Sequence, residues 1–487
     1  MKNGFLQVVL SSIILSGLAG CSKLLEETPK AIAIETFYNT AGEVETAVNA
    51  IYQQLRAPNN ISGQLGAQFE AYTDYSYGRG SYQVLSDFQG LNSTNISRTD
   101  AGWTLLYLGI RNANLVIQNA PKGSSISKAD IDKFVAEAKF LRAYQYFWLV
   151  RNWGGVPIRT ETTLTEPNIK RSTAEEVYTL IINDLKEAES KLPDRSTQVG
   201  RATKWAVKAA LAEVFFTLNR YSEARDKADE IIKSNLFSLV PVSVANDFDK
   251  IFGPTVTTTS EEIFYLKMTR QVGQGMYLAM FAHHPGTRLH GAGGFFGHYT
   301  DAQTNPVYRN WDNNDLRKSY NWINWNIGLG SNSMLCKKFS DPLAPADNAA
   351  GNDFPIYRYS DILLMFAESA CRAGNKPTAE AMEALNQVRR RAYGKPVSIP
   401  SNVDFKLSDY TADTFNDLVL NERGYETQYE AKRWLDLKRL GTAKLRQVIK
   451  AATGKDVADK HFFWPIPVGE LNFNKALDPG KDQNPGY

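Results

Sequence analysis

Cysteine is scarce in this chain: three in 487 residues, at positions 21, 336 and 371. Three thiols cannot build a disulfide framework, so the fold has to be held by its core. A strong charge of one sign is also missing. Fifty-five Lys and Arg stand against 52 Asp and Glu, a formal net charge of +3, which lacks the basic field that binding to nucleic acid requires. Histidine is rare, with five residues. No stretch beyond residue 20 approaches the ~20 uninterrupted apolar residues of a membrane span. What is present is a globular composition, 43% hydrophobic and 22% charged, far from that of a disordered chain. The 23 Tyr and nine Trp are the compositional feature that calls for a role.

The first twenty residues read as an address. MKNGFLQVVLSSIILSGLAG carries Lys2 and then a mostly apolar run from Phe5 to Leu18, short and broken by serines. That is a secretory signal peptide rather than a span. Leu18-Ala19-Gly20-Cys21 matches the bacterial lipobox, so Cys21 is the expected acylated N-terminus of the mature chain. Acyl chains contribute roughly 0.8 kcal/mol per buried CH₂, enough in combination to anchor a domain durably to a lipid surface. Residues 21–39 read as the lipidated N-terminus and tether, and residues 40–487 as a single domain.

Most of that domain carries a helical period. Thr40-x-x-Glu43 is a capping box opening a helix with Val44, Ala47, Val48, Ile51 and Leu55 on one face. Further helices are expected over 103–119, 128–153 (stopped by Gly154-Gly155), from Ser172-Thr173 onward, and over 203–219, 221–234, 361–373, 377–393 and 413–440. Two of these regions share a spacing: Ala212, Asn219 and Ala224 recur as Ala367, Gly374 and Ala379. Small residues at those offsets allow two antiparallel helices to approach, with Asn or Gly at the turn, as in tetratricopeptide-type hairpins. The helical scaffold is thus placed mainly in 40–57, 100–240 and 356–445. The remainder, mainly 58–99, 241–355 and 446–487, has little periodicity, and loops that long are usually functional or have structure of their own.

Two aromatic groups lie in these irregular parts. One contains Tyr72, Asp74, Tyr75, Tyr77, Arg79 and Tyr82; the other contains Trp311, Tyr320, Trp322 and Trp325. An aromatic ring buries the C–H face of a sugar, and Asp, Asn and Arg satisfy its hydroxyls, so these ten residues are the candidate oligosaccharide contacts. The competing reading is that the rings pin long loops onto the helices. No catalytic motif accompanies them: there is no Gly-x-Ser-x-Gly elbow, and Gly291-Ala292-Gly293-Gly294 lacks the lysine of a phosphate loop. No cofactor is expected. His283, His284, His290 and His298 match no zinc spacing, and calcium was weighed at Asp312 and Asp315 and at Asp341, Asp347 and Asp353 without an EF-hand pattern. Cys336 and Cys371 read as buried thiols, with their pairing left open.

Several blocks, in order, resemble the SusD/RagB family. They are AKFLRAYQYFWLVRNWGGVPI (138–158), GRATKWAVKAALAEVFFTLNRYSEA (200–224), SEEIFYLKM (260–268), IYRYSDILLMFAESA (356–370), ALNQVRRRAYG (384–394), ERGYETQYEAKRWLDLKRLG (422–441) and FFWPIPVGELNFNKALDPGKDQNPGY (462–487). The resemblance implies an all-helical SusD-like fold with four tetratricopeptide-like hairpins supporting irregular insertions. It implies non-catalytic capture of a glycan at the cell surface and delivery to a SusC-like TonB-dependent barrel in the outer membrane. RagB-type members handle peptides, which is the alternative; a surface glycosidase is the remote one. Ligand residues vary within the family, so the motifs carry no contact residues over. The motif arginines Arg142, Arg389, Arg423 and Arg433 are expected to pair internally, as is Asp315-Leu316-Arg317, and Trp464-Pro465-Ile466-Pro467 to act as a clasp on the fold.

Overall fold

The computed structural model describes residues 37–295 and 297–487. The expected signal peptide, Cys21 and nearly all of the expected tether lie outside the described residues. From Thr40 onward the chain winds through helices α1 (Ala41–Arg56), α2 (Ser93–Asn119), α3 (Lys128–Trp153), α4 (Ala174–Lys191), α5 (Lys204–Thr217) and α6 (Tyr221–Lys233). After a long excursion it returns as α7 (Tyr359–Gly374), α8 (Ala379–Ala392), α9 (Ala412–Glu426), α10 (Arg433–Arg439) and α11 (Thr442–Thr453). Packing is sequential: α1 on α2, α2 on α3, α3 on α4, α4 on α5 and α5 on α6. Helix α6 then meets α7 across the excursion, and α7 packs on α8 and α9. The expected helical hairpins are therefore present, and the fold is predominantly helical.

Local chemistry explains the helix ends. Thr40 with Glu43 and Thr173 with Glu176 both form complete capping boxes, satisfying donors that a helix start leaves orphaned. Helix α3 is buried on nearly every side from Ala136 to Trp153, which is why its apolar face has no narrow stripe. Gly154, at φ +74°, ends it. The repeat spacing holds in its first half: Ala212 and Ala224 are buried and Asn219 takes the left-handed turn at φ +58°. Its second half is displaced. Gly374 is still helical, Asn375 makes the left-handed turn at φ +49°, and Ala381 rather than the exposed Ala379 meets α7.

The segments read as irregular contain structure. A short helix runs over Gln64–Ala71, and α2 begins ten residues before its apolar period does. Strand β1 (Glu262–Leu266) pairs antiparallel with β5 (Phe354–Arg358). A three-stranded antiparallel sheet has the order β2 (Tyr299–Asp301), β4 (Ser333–Cys336), β3 (Trp322–Asn324). The single helix expected over 413–440 is two, α9 and α10. The break at 427–432 holds Tyr429 and Ala431 at φ +58° and +56°. Its backbone is captured by distant groups: Tyr429 N–H donates to Tyr75 Oη (3.0 Å) and Ala431 N–H to Glu70 Oε1 (2.8 Å).

A lattice of buried charge joins the sheet region to α9. Arg358 donates to Glu426 and Glu430, Arg391 to Glu261 and Glu426, and Arg317 to Asp315, Glu422 and Glu426. Lys338, two residues beyond β4, donates to Glu430 at 2.6 Å. The expected internal pairing holds for Asp315–Arg317, for Arg142 with Asp184 and Glu161, for Arg423 with Asp436 and for Arg433 with Asp74. Arg389 instead donates to the Val403 carbonyl and covers the Phe405 ring. The Trp-Pro-Ile-Pro segment is a clasp: Trp153 Nε1 donates to the Pro465 carbonyl, and Asn484 Nδ2 bridges the Trp153 and Trp464 carbonyls. Cys336 and Cys371 are buried free thiols.

Candidate functional site

Seven of the ten sequence candidates turn inward and are core residues. Tyr72 is 1% exposed and stacks on Trp434 at 4.9 Å. Tyr75 is equally buried and its hydroxyl is engaged by Glu70. Tyr82 lies between Phe281 and His298, with Arg98 4.0 Å above its ring. Asp74, expected to meet sugar hydroxyls, makes a two-point ion pair with Arg433 at 2.9 and 2.5 Å. Trp311 stacks on Tyr425 at 4.4 Å and donates to Asp315. Tyr320 packs on Phe248 and Phe252 and donates to Asp249. Trp322 sits against Tyr75 and Tyr429 and donates to Gln428. The six rings cover apolar surface and the Asp74 carboxylate is held by Arg433, so none offers a face to a ligand.

Tyr77, Arg79 and Trp325 reach the surface around the three-stranded sheet, Tyr77 along its β2 edge and Trp325 on its β3 edge. Tyr77 exchanges both backbone hydrogen bonds with Tyr299 (2.7 and 3.1 Å), and their rings meet edge to face at 5.5 Å. Burial, and then the hydrogen bond to Asp87, push the Tyr77 hydroxyl up to about 12. Trp325 continues β3: its N–H donates to Ser333, which pairs with Asp301 on the other side of β4. Its indole lies over Gly286, where a built Cβ would come within 2.9 Å of the ring. The rest of the ring is open, at 36% exposure.

His284 closes the arc. Its Nδ1 accepts from Gly286 N–H at 3.1 Å, directly under Trp325. Burial lowers its pKa, and the positive charge of Arg79 lowers it further, so the imidazole is neutral at pH 7. Arg79 also acts on Tyr299. Phe295, 37% exposed, flanks the loop on Phe281 and Tyr277. The arrangement is a shelf: an indole and a phenol half open to solvent, with a guanidinium and a neutral imidazole between them. It can bury an apolar face and hydrogen-bond hydroxyls.

Tyr299, His284 and Phe295 were not selected from the sequence. The usable signal was in Tyr299-Thr300-Asp301, a short strand whose first and third residues share the outer face. Three of the five acidic residues that could have served calcium are paired with cations of the chain: Asp341 with Arg270, Asp353 with Lys267 and Asp315 with Arg317. Three of the four clustered histidines are buried, and among the described residues no three His, Cys, Asp or Glu side chains converge as a metal site.

Comparison with known proteins gives the same architecture throughout. Residues 24–216 match a family described as starch-binding and associating with the outer membrane, and residues 267–487 match the SusD family. The SusD-like protein P25 of Formosa agariphila is 26% identical over 99% of both chains. A SusD homologue from Bacteroides thetaiotaomicron superposes with a TM-score of 0.80 at 20% identity, covering 93% of this chain and 98% of the other. A surface glycan-binding protein A from the same organism, in complex with laminarihexaose, superposes with a TM-score of 0.72 at 22% identity over 90% of this chain and 98% of that one. With two family matches spanning both halves of the scaffold, and helices, clasp and closing motif in the family's order, the chain belongs to the SusD/RagB family.

Proposed function

We propose that this protein captures an oligosaccharide on the shelf formed by Trp325, Tyr299, Arg79 and His284, without chemistry, and hands it to a SusC-like TonB-dependent barrel in the outer membrane. The observation that carries the reading is the half-open Trp325 indole beside a neutral imidazole and a guanidinium, in a molecule whose other loop tryptophans are sealed in the core. The relative seen with laminarihexaose and the starch-binding family description support a glycan as the ligand class. The Leu18–Cys21 motif supports anchoring by acylated Cys21, facing the exterior.

The test is calorimetric titration of the chain from Ser22 with linear and branched oligosaccharides, laminarihexaose and starch fragments included, and with peptides. Binding of at least one glycan, weakened by Trp325→Ala, is expected. Peptide binding with no glycan binding would select a RagB-like role, and cleavage of a bound glycan would overturn the non-catalytic reading. Co-purification with a large barrel from outer membranes tests the partner.

A further inference from the structure

A groove of about 560 Å³ runs along one face of α2, remote in sequence from the shelf. That volume lies within the roughly 300–1,000 Å³ of small-ligand sites. Its floor is a helical stripe: Asp100, Trp103, Thr104, Tyr107, Leu108 and Arg111 stand at the spacings that bring side chains onto one helix face. Segments 159–164 and 467–470 supply the rest of the lining.

Four charged side chains line the groove, and two of them cancel. Arg159 meets Glu470 at 3.3 Å and donates to the Glu166 and Pro167 carbonyls. The other two are left over. At one end Asp100 Oδ1 is buried with no hydrogen-bond partner, a costly state for a carboxylate oxygen. Burial raises its carboxyl above the usual range, and no cation of the described residues opposes the shift. At the other end Arg111 is exposed, and no carboxylate among the described residues pairs with it. From Asp100 to Arg111 the helix α2 climbs about 16 Å at a rise of 1.5 Å per residue. The groove thus has an unmatched anion and an unmatched cation at its two ends.

The middle is apolar but offers no open ring face. Trp103 is 4% exposed, edge-on to Trp153 and packed on Tyr107 at 4.8 Å. The Tyr107 hydroxyl is already used, donating to the Pro157 carbonyl at 2.7 Å. Leu108, 39% exposed, is the open apolar group. A sugar needs a ring face to cover its C–H groups, and a neutral sugar brings no cation to Asp100. A zwitterion with aliphatic groups between its charges fits both features. We propose that the groove binds a short extended peptide of about five residues, its terminal ammonium on Asp100, its apolar side chains over Leu108 and its carboxylate on Arg111. Five extended residues cover about 16 Å at roughly 3.3 Å each, the separation of the two charged ends. The guanidinium fork suits a carboxylate, and the ammonium supplies the counter-charge that Asp100 lacks. This second site takes a different ligand class from the shelf and does not rest on the glycan reading.

The test is calorimetric titration of the chain from Ser22 with the pentapeptides Ser-Leu-Val-Leu-Ser and Ser-Val-Leu-Val-Ser, each free-ended, N-acetylated or C-amidated. The free-ended forms are expected to bind, and blocking either end should weaken binding about tenfold, as loss of a charge-assisted pair requires. Asp100→Asn should weaken the free-ended peptide by the same factor and leave the acetylated one unchanged. Arg111→Gln should do the same for the amidated form. A merely structural role for either residue would not follow the blocked end in this way. Circular dichroism melting checks that each variant is folded, and Arg111, being exposed, supplies a variant that leaves the core intact. No binding of either free-ended peptide overturns the proposal, as does binding that ignores the blocking of both ends. Laminarihexaose binding weakened by Arg111→Gln overturns it in favour of a second sugar groove. Peptide binding lost in Trp325→Ala and kept in Arg111→Gln overturns it by placing the peptide on the shelf. The shelf's own test is glycan binding to Trp325→Ala, so the two readings fail separately.

Discussion

Trp325→Ala separates the shelf from the many rings that resemble it in sequence. The residue is 36% exposed; on a side chain of roughly 250 Å², that is about 90 Å² available to a ligand. At about 25 cal/mol per Å², covering all of it would contribute about 2 kcal/mol. A sugar covers one face, so the expected loss is about 1–2 kcal/mol, or a Kd about 5- to 30-fold weaker. The fold should change little, since the ring stands at the exposed edge of the sheet. Trp322→Ala is the counterpart. That ring is 4% exposed and donates to Gln428, so its removal leaves a cavity and loses a buried hydrogen bond and should cost stability by about 3–5 kcal/mol. Calorimetry against a glycan from the panel measures the first effect, and denaturant unfolding the second. If Trp325→Ala binds within twofold of the parent, the shelf is not the site. If Trp322→Ala weakens binding while unfolding at the parent's midpoint, the division between core and shelf is wrong.

Three further outcomes follow from the buried charges and thiols. Burial would raise the Glu426 carboxyl, but Arg391, Arg358 and Arg317 hold it far below the usual range. Glu426→Gln leaves those guanidiniums short of a counter-charge and should cost about 3–5 kcal/mol in denaturant unfolding. Glu70 is raised by burial from 4.5 to about 7. Between those pH values the native state keeps a proton that the unfolded chain has released, so stability should fall as pH rises across that window; in Glu70→Gln the slope assigned to this residue should vanish. Cys336 and Cys371 have thiol pKa values raised by burial, the latter to about 11. Ellman's reagent should therefore find no fast thiol in the native chain from Ser22 and two after unfolding.

The helical scaffold was legible because its signals are local. Thr173 and Glu176 are three residues apart, and the cap they form needs nothing else. The Arg-Trp-Leu-Asp-Leu helix was legible too, but its separation from α9 was not. Tyr429 and Ala431 sit at positive φ because Tyr75 and Glu70, some 350 residues earlier, bond to that backbone. No window on the sequence contains both partners. The aromatic loops failed for a related reason. Trp311 and Trp325 both have Asn-rich neighbours in sequence. One is covered because Tyr425 on α9 lies 4.4 Å away, while the other lies over Gly286 and stays 36% exposed. Composition identifies rings able to bind sugar, but burial depends on what the rest of the chain lays over them.

The charge lattice beneath the sheet bears on how the shelf can work. Exchanging buried ion pairs for apolar side chains of equal volume is often neutral or stabilising, so stability alone is a weak reason for Arg317, Lys338, Arg358 and Arg391 to be there. Register is a better one. Arg317 lies on the short helix Leu316–Asn321 that leads directly into β3, and Lys338 stands two residues beyond β4. Both are held by carboxylates of the α9 region, at Glu422, Glu426 and Glu430. Sliding either strand by one residue would strand a cation in a buried site, a far larger cost than a shifted apolar contact. The floor of the shelf is thus fixed to the helices, while Trp325 and His284 stand on the loops that leave it. Loop changes can alter which hydroxyls are met without moving the platform, so exchanging residues 284–288 and 325–332 should change ligand preference and leave the unfolding midpoint nearly unchanged.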